Sequence, residues 1–159
     1  MGTIGEAFAK LRELAGQKAV IACIGNTLKG DDGAGPSLCQ KLKGRTSVKL
    51  IDAGTVPENY IQPIISSAPD VLLIVDAIDL GAPPGTIRIF EPDQLDRSAF
   101  STHTLSPRVF VEMICKATKC RPVFIGIQPG QVKLGEPISP EVKRAVGLLA
   151  EALAGIFPA

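Results

Sequence analysis

Three stretches of this 159-residue chain are apolar almost without interruption: Ala19-Val20-Ile21-Ala22-Cys23-Ile24, Val71-Leu72-Leu73-Ile74-Val75, and Pro122 to Ile127. A strand with one wet face alternates apolar and polar residues, so strands that lack polar positions must be covered on both faces. That requirement selects a parallel sheet with helices above and below it. The intervening segments supply the helices. Thr3-Ile4-Gly5-Glu6 has capping-box spacing and opens an amphipathic segment over residues 3–16, with Ile4, Phe8, Leu11 and Leu14 on one stripe. A second helix is expected from Pro36 to Lys43. Residues 57–67 also read as helical, with Pro63 predicting a short, kinked or two-part element. Ser106-Pro107 reads as the N-cap and first residue of a helix carrying Val109, Phe110, Met113, Ile114 and Ala117. Ser139-Pro140-Glu141 opens a last helix with Val142, Ala145, Val146, Leu149, Leu153 and Ile156 inward.

Two further strands complete the pattern. Val48 to Asp52 is one, with Asp52-Ala53-Gly54-Thr55 as the turn after it. Thr86 to Phe90, reached through the tight Gly81–Gly85 connection, is expected to be antiparallel at a sheet edge. Residues 91–104 lack periodicity and form the longest loop. The expectation is an α/β fold: a three-layer αβα sandwich around a mostly parallel five-stranded sheet with one antiparallel edge strand. A chain of this length reads as a single domain over 1–159, with an amphipathic helix at 1–17.

Between the first strand and its helix lies Gly25-Asn26-Thr27-Leu28-Lys29-Gly30-Asp31-Asp32-Gly33-Ala34-Gly35-Pro36. A glycine turn leading from a strand into a helix usually collects an anion on free N–H groups and the helix dipole. Here Asp31 and Asp32 bring the negative charge themselves. They repel phosphate and attract a cation, and Gly30 is not followed by the Lys and Ser/Thr of a P-loop. The loop therefore reads as a metal or acid–base site, the plainer alternative being that either aspartate caps the helix.

In open α/β sheets ligands bind outside the carboxyl ends of the parallel strands, and three groups converge on that edge. Asp32 follows the first strand, Asp76 ends the most apolar one, and His103, the single histidine, lies on the long loop. They are dozens of residues apart, so only the fold could assemble them. Two carboxylates and an imidazole suit nickel, zinc, manganese or iron with positions left open for a substrate. Asp52 and Asp79, also near strand ends, are secondary candidates. Glu58 and Gln128 read as supporting or substrate-contacting groups, or as turn residues.

Composition excludes other classes. Seventeen basic residues balance sixteen acidic ones and aromatics are 4% of the chain, which argues against nucleic acid or an anionic membrane as partner. No apolar run approaches the ~18 residues needed to span a bilayer. Cys23, Cys39, Cys115 and Cys120 form no CxxC pair, and the N-terminus carries no signal-peptide core, so free thiols in a reducing cytoplasm are expected.

Gly25-Asn26 through Gly30-Asp31-Asp32-Gly33-Ala34-Gly35-Pro36, Asp52-Ala53-Gly54-Thr55, Val75-Asp76-Ala77 and Thr102-His103 resemble the motifs of the [NiFe]-hydrogenase maturation endopeptidases. Pro57-Glu58-Asn59, Gly85-Thr86-Ile87-Arg88-Ile89 and Gly126-Ile127-Gln128-Pro129 resemble the branch that matures hydrogenase 3, of the formate hydrogenlyase type. The resemblance covers residues 18–157, and the segment 1–17 lies upstream of it. It implies a cytoplasmic, nickel-dependent enzyme that removes the C-terminal extension of the hydrogenase large-subunit precursor once nickel is in place. It also implies that Asp32, Asp76 and His103 are the catalytic and metal-contacting trio, meeting the nickel that the precursor presents. Some members carry Glu at the first acidic position, where this chain has Asp. The single histidine has no nearby Ser or Cys nucleophile motif. Attack by a metal-polarised water and general-base catalysis by a carboxylate both fit the residues. A monomer is expected. The alternatives from other classes are a non-catalytic nickel-sensing metallochaperone or binding module for the same precursor, and a nucleotide- or flavin-binding domain.

Overall fold

The computed structural model describes residues 3–94 and 106–159. In chain order these form α1 (Ile4–Arg12), β1 (Ala19–Ile24), α2 (Ala34–Leu42), β2 (Lys49–Gly54), α3 (Ile61–Ser67), β3 (Val71–Ala77), β4 (Ile87–Phe90), α4 (Pro107–Thr118), β5 (Arg121–Ile127) and α5 (Pro140–Ile156). The strands make one sheet in the order β2-β1-β3-β5-β4, parallel except for β4, which pairs antiparallel with β5 at the edge.

The registers explain why the apolar runs carry no polar residue. Ala22 lies beside Ile74 and Ile74 beside Phe124, while the next row is Cys23, Val75 and Ile125. Successive rows face opposite sides. Ile21, Leu73, Val75 and Ile125 join Leu11, Leu38, Leu42, Val146 and Leu149 in one core beneath α1, α2 and α5. Val20, Ala22, Leu72, Ile74 and Phe124 join Ile61, Ile64, Phe110, Val111 and Ile114 in the other, beneath α3 and α4. Each fully buried leucine or isoleucine contributes about 1.5 to 3 kcal/mol by leaving water. No helix of the described residues is long and apolar enough to cross a membrane.

Several expectations shift in detail. Thr3 does cap α1, its Oγ1 accepting the Glu6 N–H at 3.1 Å. The buried stripe, however, is Ala7, Leu11 and Leu14, and Ile4 at the helix tip is 42% exposed. On α4 the buried set is Pro107, Phe110, Val111 and Ile114, at i, i+3, i+4 and i+7. Val109 and Met113 fall outside that stripe, Met113 being 48% exposed. The segment 57–67 is indeed two-part, a 3-10 turn at Pro57–Tyr60 followed by α3. Pro63 is the third residue of α3, where its missing N–H would have had no partner inside the helix. β2 runs on through the expected turn to Gly54, because Cys23 pairs with Asp52 and Ile24 with Gly54 across a bulge that absorbs Ala53.

Candidate functional site

The glycine loop begins where β1 ends and folds back over the carboxyl ends of β1 and β3. Gly25 is required there: a Cβ would lie 2.0 Å from the Asp32 carbonyl oxygen, and φ is +152°. Gly35 is required by contact alone, since its Cβ would meet the Ile24 carbonyl at 2.4 Å and that of Val75 at 2.9 Å. The first turn of α2 therefore rests directly on the strand ends. A 3-10 turn, Gly30–Gly33, carries Asp31 and Asp32 ahead of it.

The two aspartates play different parts. Asp31 is fully buried and its carboxylate accepts four hydrogen bonds, from Gly130 N–H at 2.8 Å, Gln131 N–H at 3.0 Å, Ser139 N–H at 2.6 Å and the Ser139 hydroxyl at 2.7 Å. Burial opposes its ionisation, but the bonds from Gln131, Ser139 and Gly130 outweigh burial and hold the carboxyl below the usual carboxylate range. It is thus a structural clamp between the glycine loop and the segment 129–139, neither a cap of α2 nor a group free to meet a cation. Asp32 is 7% exposed, and its Oδ2 accepts the Asn26 N–H at 3.0 Å.

Five further N–H groups of the loop are also taken within the protein. Leu28 N–H reaches the Asn26 side chain, Lys29 N–H the Asn26 carbonyl, Gly30 N–H that of Glu136, Asp31 N–H that of Gln131 and Asp32 N–H that of Lys29. A phosphate would need those N–H groups, so the loop is unsuited to cradle a nucleotide.

Asp76 lies near the end of β3, beside Gly126 of β5, and is 1% exposed. It follows Leu72 and Ile74 in strand alternation, which puts it on the side of the sheet that α3 and α4 cover. Asp32 and Asp76 are thus both buried carboxylates at the carboxyl edge of the adjacent strands β1 and β3, and the 3-10 turn that holds Asp32 packs on β3. The third predicted member, His103, lies outside the described residues. Among the described residues no three His, Cys, Asp or Glu side chains gather as a metal cluster.

The secondary candidates separate. Asp52 is exposed on β2 and lines a cavity of about 160 Å³ with Thr27, Gly33, Ser37 and Gln40. Asp79 Oδ1 accepts the Gly81 N–H at 3.1 Å and the Gln128 Nε2 at 3.4 Å. Gln128 is a buried brace for the connection after β3: its Oε1 accepts the N–H groups of Leu80 and Ala82, and its Nε2 donates to the Pro129 carbonyl. Glu58 is half-buried in the 3-10 turn before α3. The group that sequence reasoning missed is Ser139. Its side chain makes no cap bond to α5 and binds Asp31 instead, across 108 residues of chain, for which no local signal exists.

Comparison with known proteins places this architecture. The family model described as HycI, hydrogenase maturation protease, matches residues 36–156, a span that contains Asp76 and His103 and starts just after the aspartate pair. The hydrogenase 3 maturation protease of Escherichia coli (strain K12) is 39% identical over 139 residues, covering 86% of this chain and 88% of that protein. The crystal structure of the [NiFe] hydrogenase maturation protease HycI from Thermococcus kodakarensis KOD1 superposes with a TM-score of 0.86 at 34% identity, covering 92% of this chain and 97% of that one. The solution structure of the endopeptidase HycI from Escherichia coli gives 0.78 at 37% identity, covering 87% and 90%.

Proposed function

Because this chain belongs to the hydrogenase maturation proteases, we propose that it is the endopeptidase that removes the C-terminal extension of a nickel-loaded [NiFe]-hydrogenase large-subunit precursor, acting in the cytoplasm. The observation that carries this reading is the pair of buried carboxylates, Asp32 and Asp76, at the carboxyl edge of adjacent strands, beside a loop in which the N–H groups of Leu28 to Asp32 are already satisfied. Two carboxylates withdrawn from water at one edge form an arrangement that a cation stabilises. The cation is the nickel of the precursor. His103 is the third ligand in this reading, as the resemblance to the family's metal-contacting trio implies.

In this scheme Asp32 and Asp76 meet the substrate's nickel and so fix the position of the peptide bond to be cut. Either carboxylate can then take the proton of the attacking water, a role worth about 10² to 10⁴ in rate. Asp32 keeps its geometry because Asn26 holds Oδ2 while Asp31 anchors the turn from the neighbouring residue. Two oxygens and one nitrogen make an open site that binds free nickel weakly and gains affinity when thiolates on the precursor supply the remaining ligands.

The test is incubation of purified enzyme with nickel-loaded and nickel-free precursor. Only the loaded form should be shortened, and Asp76→Ala or His103→Ala should leave it uncut. Equal trimming of both forms by the unmodified enzyme removes nickel as the signal. A stable complex without a shorter product favours the binding-module reading.

A further inference from the structure

The four cysteines form two pairs, and only one of them is open to reagents. Cys23 of β1 and Cys39 of α2 neighbour each other in the first core, both essentially inaccessible. Cys115 and Cys120 lie at the other face, their sulfurs 3.1 Å apart, with Cys115 only half-buried.

The second pair is a product of the way α4 ends. Lys119 takes the left-handed conformation, φ +60°, and its N–H donates to the Cys115 carbonyl at 2.8 Å. In such a helix stop the residue three before the last helical position and the residue after the left-handed one are brought side by side, commonly as an apolar contact. Here those positions are Cys115 and Cys120. The Thr118 hydroxyl fixes the approach, donating to the Ile114 carbonyl at 2.9 Å and accepting the Cys120 N–H at 3.2 Å. A disulfide requires a sulfur separation of about 2.05 Å, so closure demands an approach of about 1 Å along a vector the backbone already sets.

We infer that Cys115 and Cys120 are a reversible dithiol modification site, oxidised by a small disulfide such as glutathione disulfide to a bond that staples the end of α4 to the start of β5. Cys115, the accessible sulfur, loses its proton to solvent and attacks glutathione disulfide. One glutathione thiolate leaves and a mixed disulfide remains on Cys115. Cys120 gives up its proton and attacks the Cys115 sulfur, expelling the second glutathione. Two protein thiols become one disulfide and one glutathione disulfide becomes two glutathione thiols. Burial, and then the hydrogen bond with Cys120, push the Cys115 thiol up to about 12, which keeps the thiolate scarce and the first step slow at neutral pH. The site stands apart from the proposed proteolysis, and its test does not depend on it.

The full chain is incubated with glutathione disulfide at pH 8, quenched with acid, denatured and labelled with a maleimide. Labelling should fall from four thiols to two, and digestion should yield one peptide linkage, between Cys115 and Cys120. In Cys120→Ser the resolving sulfur is gone, so a glutathione adduct should persist on Cys115. Dithiothreitol should restore four labels to the unmodified chain. Four labels after oxidation, a linkage between Cys23 and Cys39, or a persistent adduct on Cys115 of the unmodified chain would each overturn the assignment.

Discussion

Four donors converge on the buried carboxylate of Asp31, while its neighbour Asp32 spends one oxygen on a single backbone N–H. Replacing Asp31 by Ala leaves the N–H groups of Gly130, Gln131 and Ser139 and one hydroxyl without their acceptor. The expected cost is about 3 kcal/mol or more, read from urea unfolding. The sign of its pH dependence follows from the lowered carboxyl. Asp31 binds a proton more readily in the unfolded chain, so its stabilisation is fully present above the unfolded value near 4 and is lost as pH falls through the lower folded value. Unfolding curves between pH 7 and pH 3 should therefore show a loss that Asp31→Asn removes. Asp32→Asn is the contrasting variant: with its Oδ1 still able to accept the Asn26 N–H it should fold normally, and cleavage of loaded precursor should drop by about 10²-fold or more.

At the scale of elements, packing decides which glycines matter. Gly35 seats α2 against the carbonyl oxygens of Ile24 and Val75, and Gly35→Ala would force the helix away from the strand ends. A loss of about 1 to 3 kcal/mol is expected, together with impaired cleavage, since the 3-10 turn just before α2 carries Asp32. A Cβ at Gly147, inside α5, would meet nothing within 4 Å. There Gly147→Ala should stabilise by about 0.5 to 1 kcal/mol through helix propensity, with activity unchanged. Thermal melts of the two variants should move in opposite directions.

At the scale of the whole molecule, α1 lies upstream of the family-like motifs yet is part of the core. Leu11 and Leu14 are fully buried, and the helix packs on β4 and α5. Deleting residues 1–16 should cost about 3 to 6 kcal/mol from the two leucines alone, seen as a lower urea midpoint. Survival of full stability would mean that α1 is dispensable. Replacing all four cysteines by Ala should leave precursor processing intact in folded protein, because the proposed cleavage uses no thiol of this chain.

Much of this was legible in the chain itself. Apolar runs such as Ala19–Ile24 dictate a doubly covered strand because no polar residue there could find water, and β1 has those bounds. The place of Asp76 was legible too, as a carboxylate that ends a buried apolar strand. Boundaries set by partners were not: β2 continues to Gly54 only because β1 lies beside it, and Met113 is exposed because α4 meets its core one position round from the apparent stripe. The part played by Asp31 was the furthest from reach. It stands beside Asp32 in one turn, and local sequence offers it only a cap of the helix or a place beside a cation. What separates them is the segment 129–139, folded against the loop from about a hundred residues away, whose N–H groups and hydroxyl take up one carboxylate and leave the other at the edge.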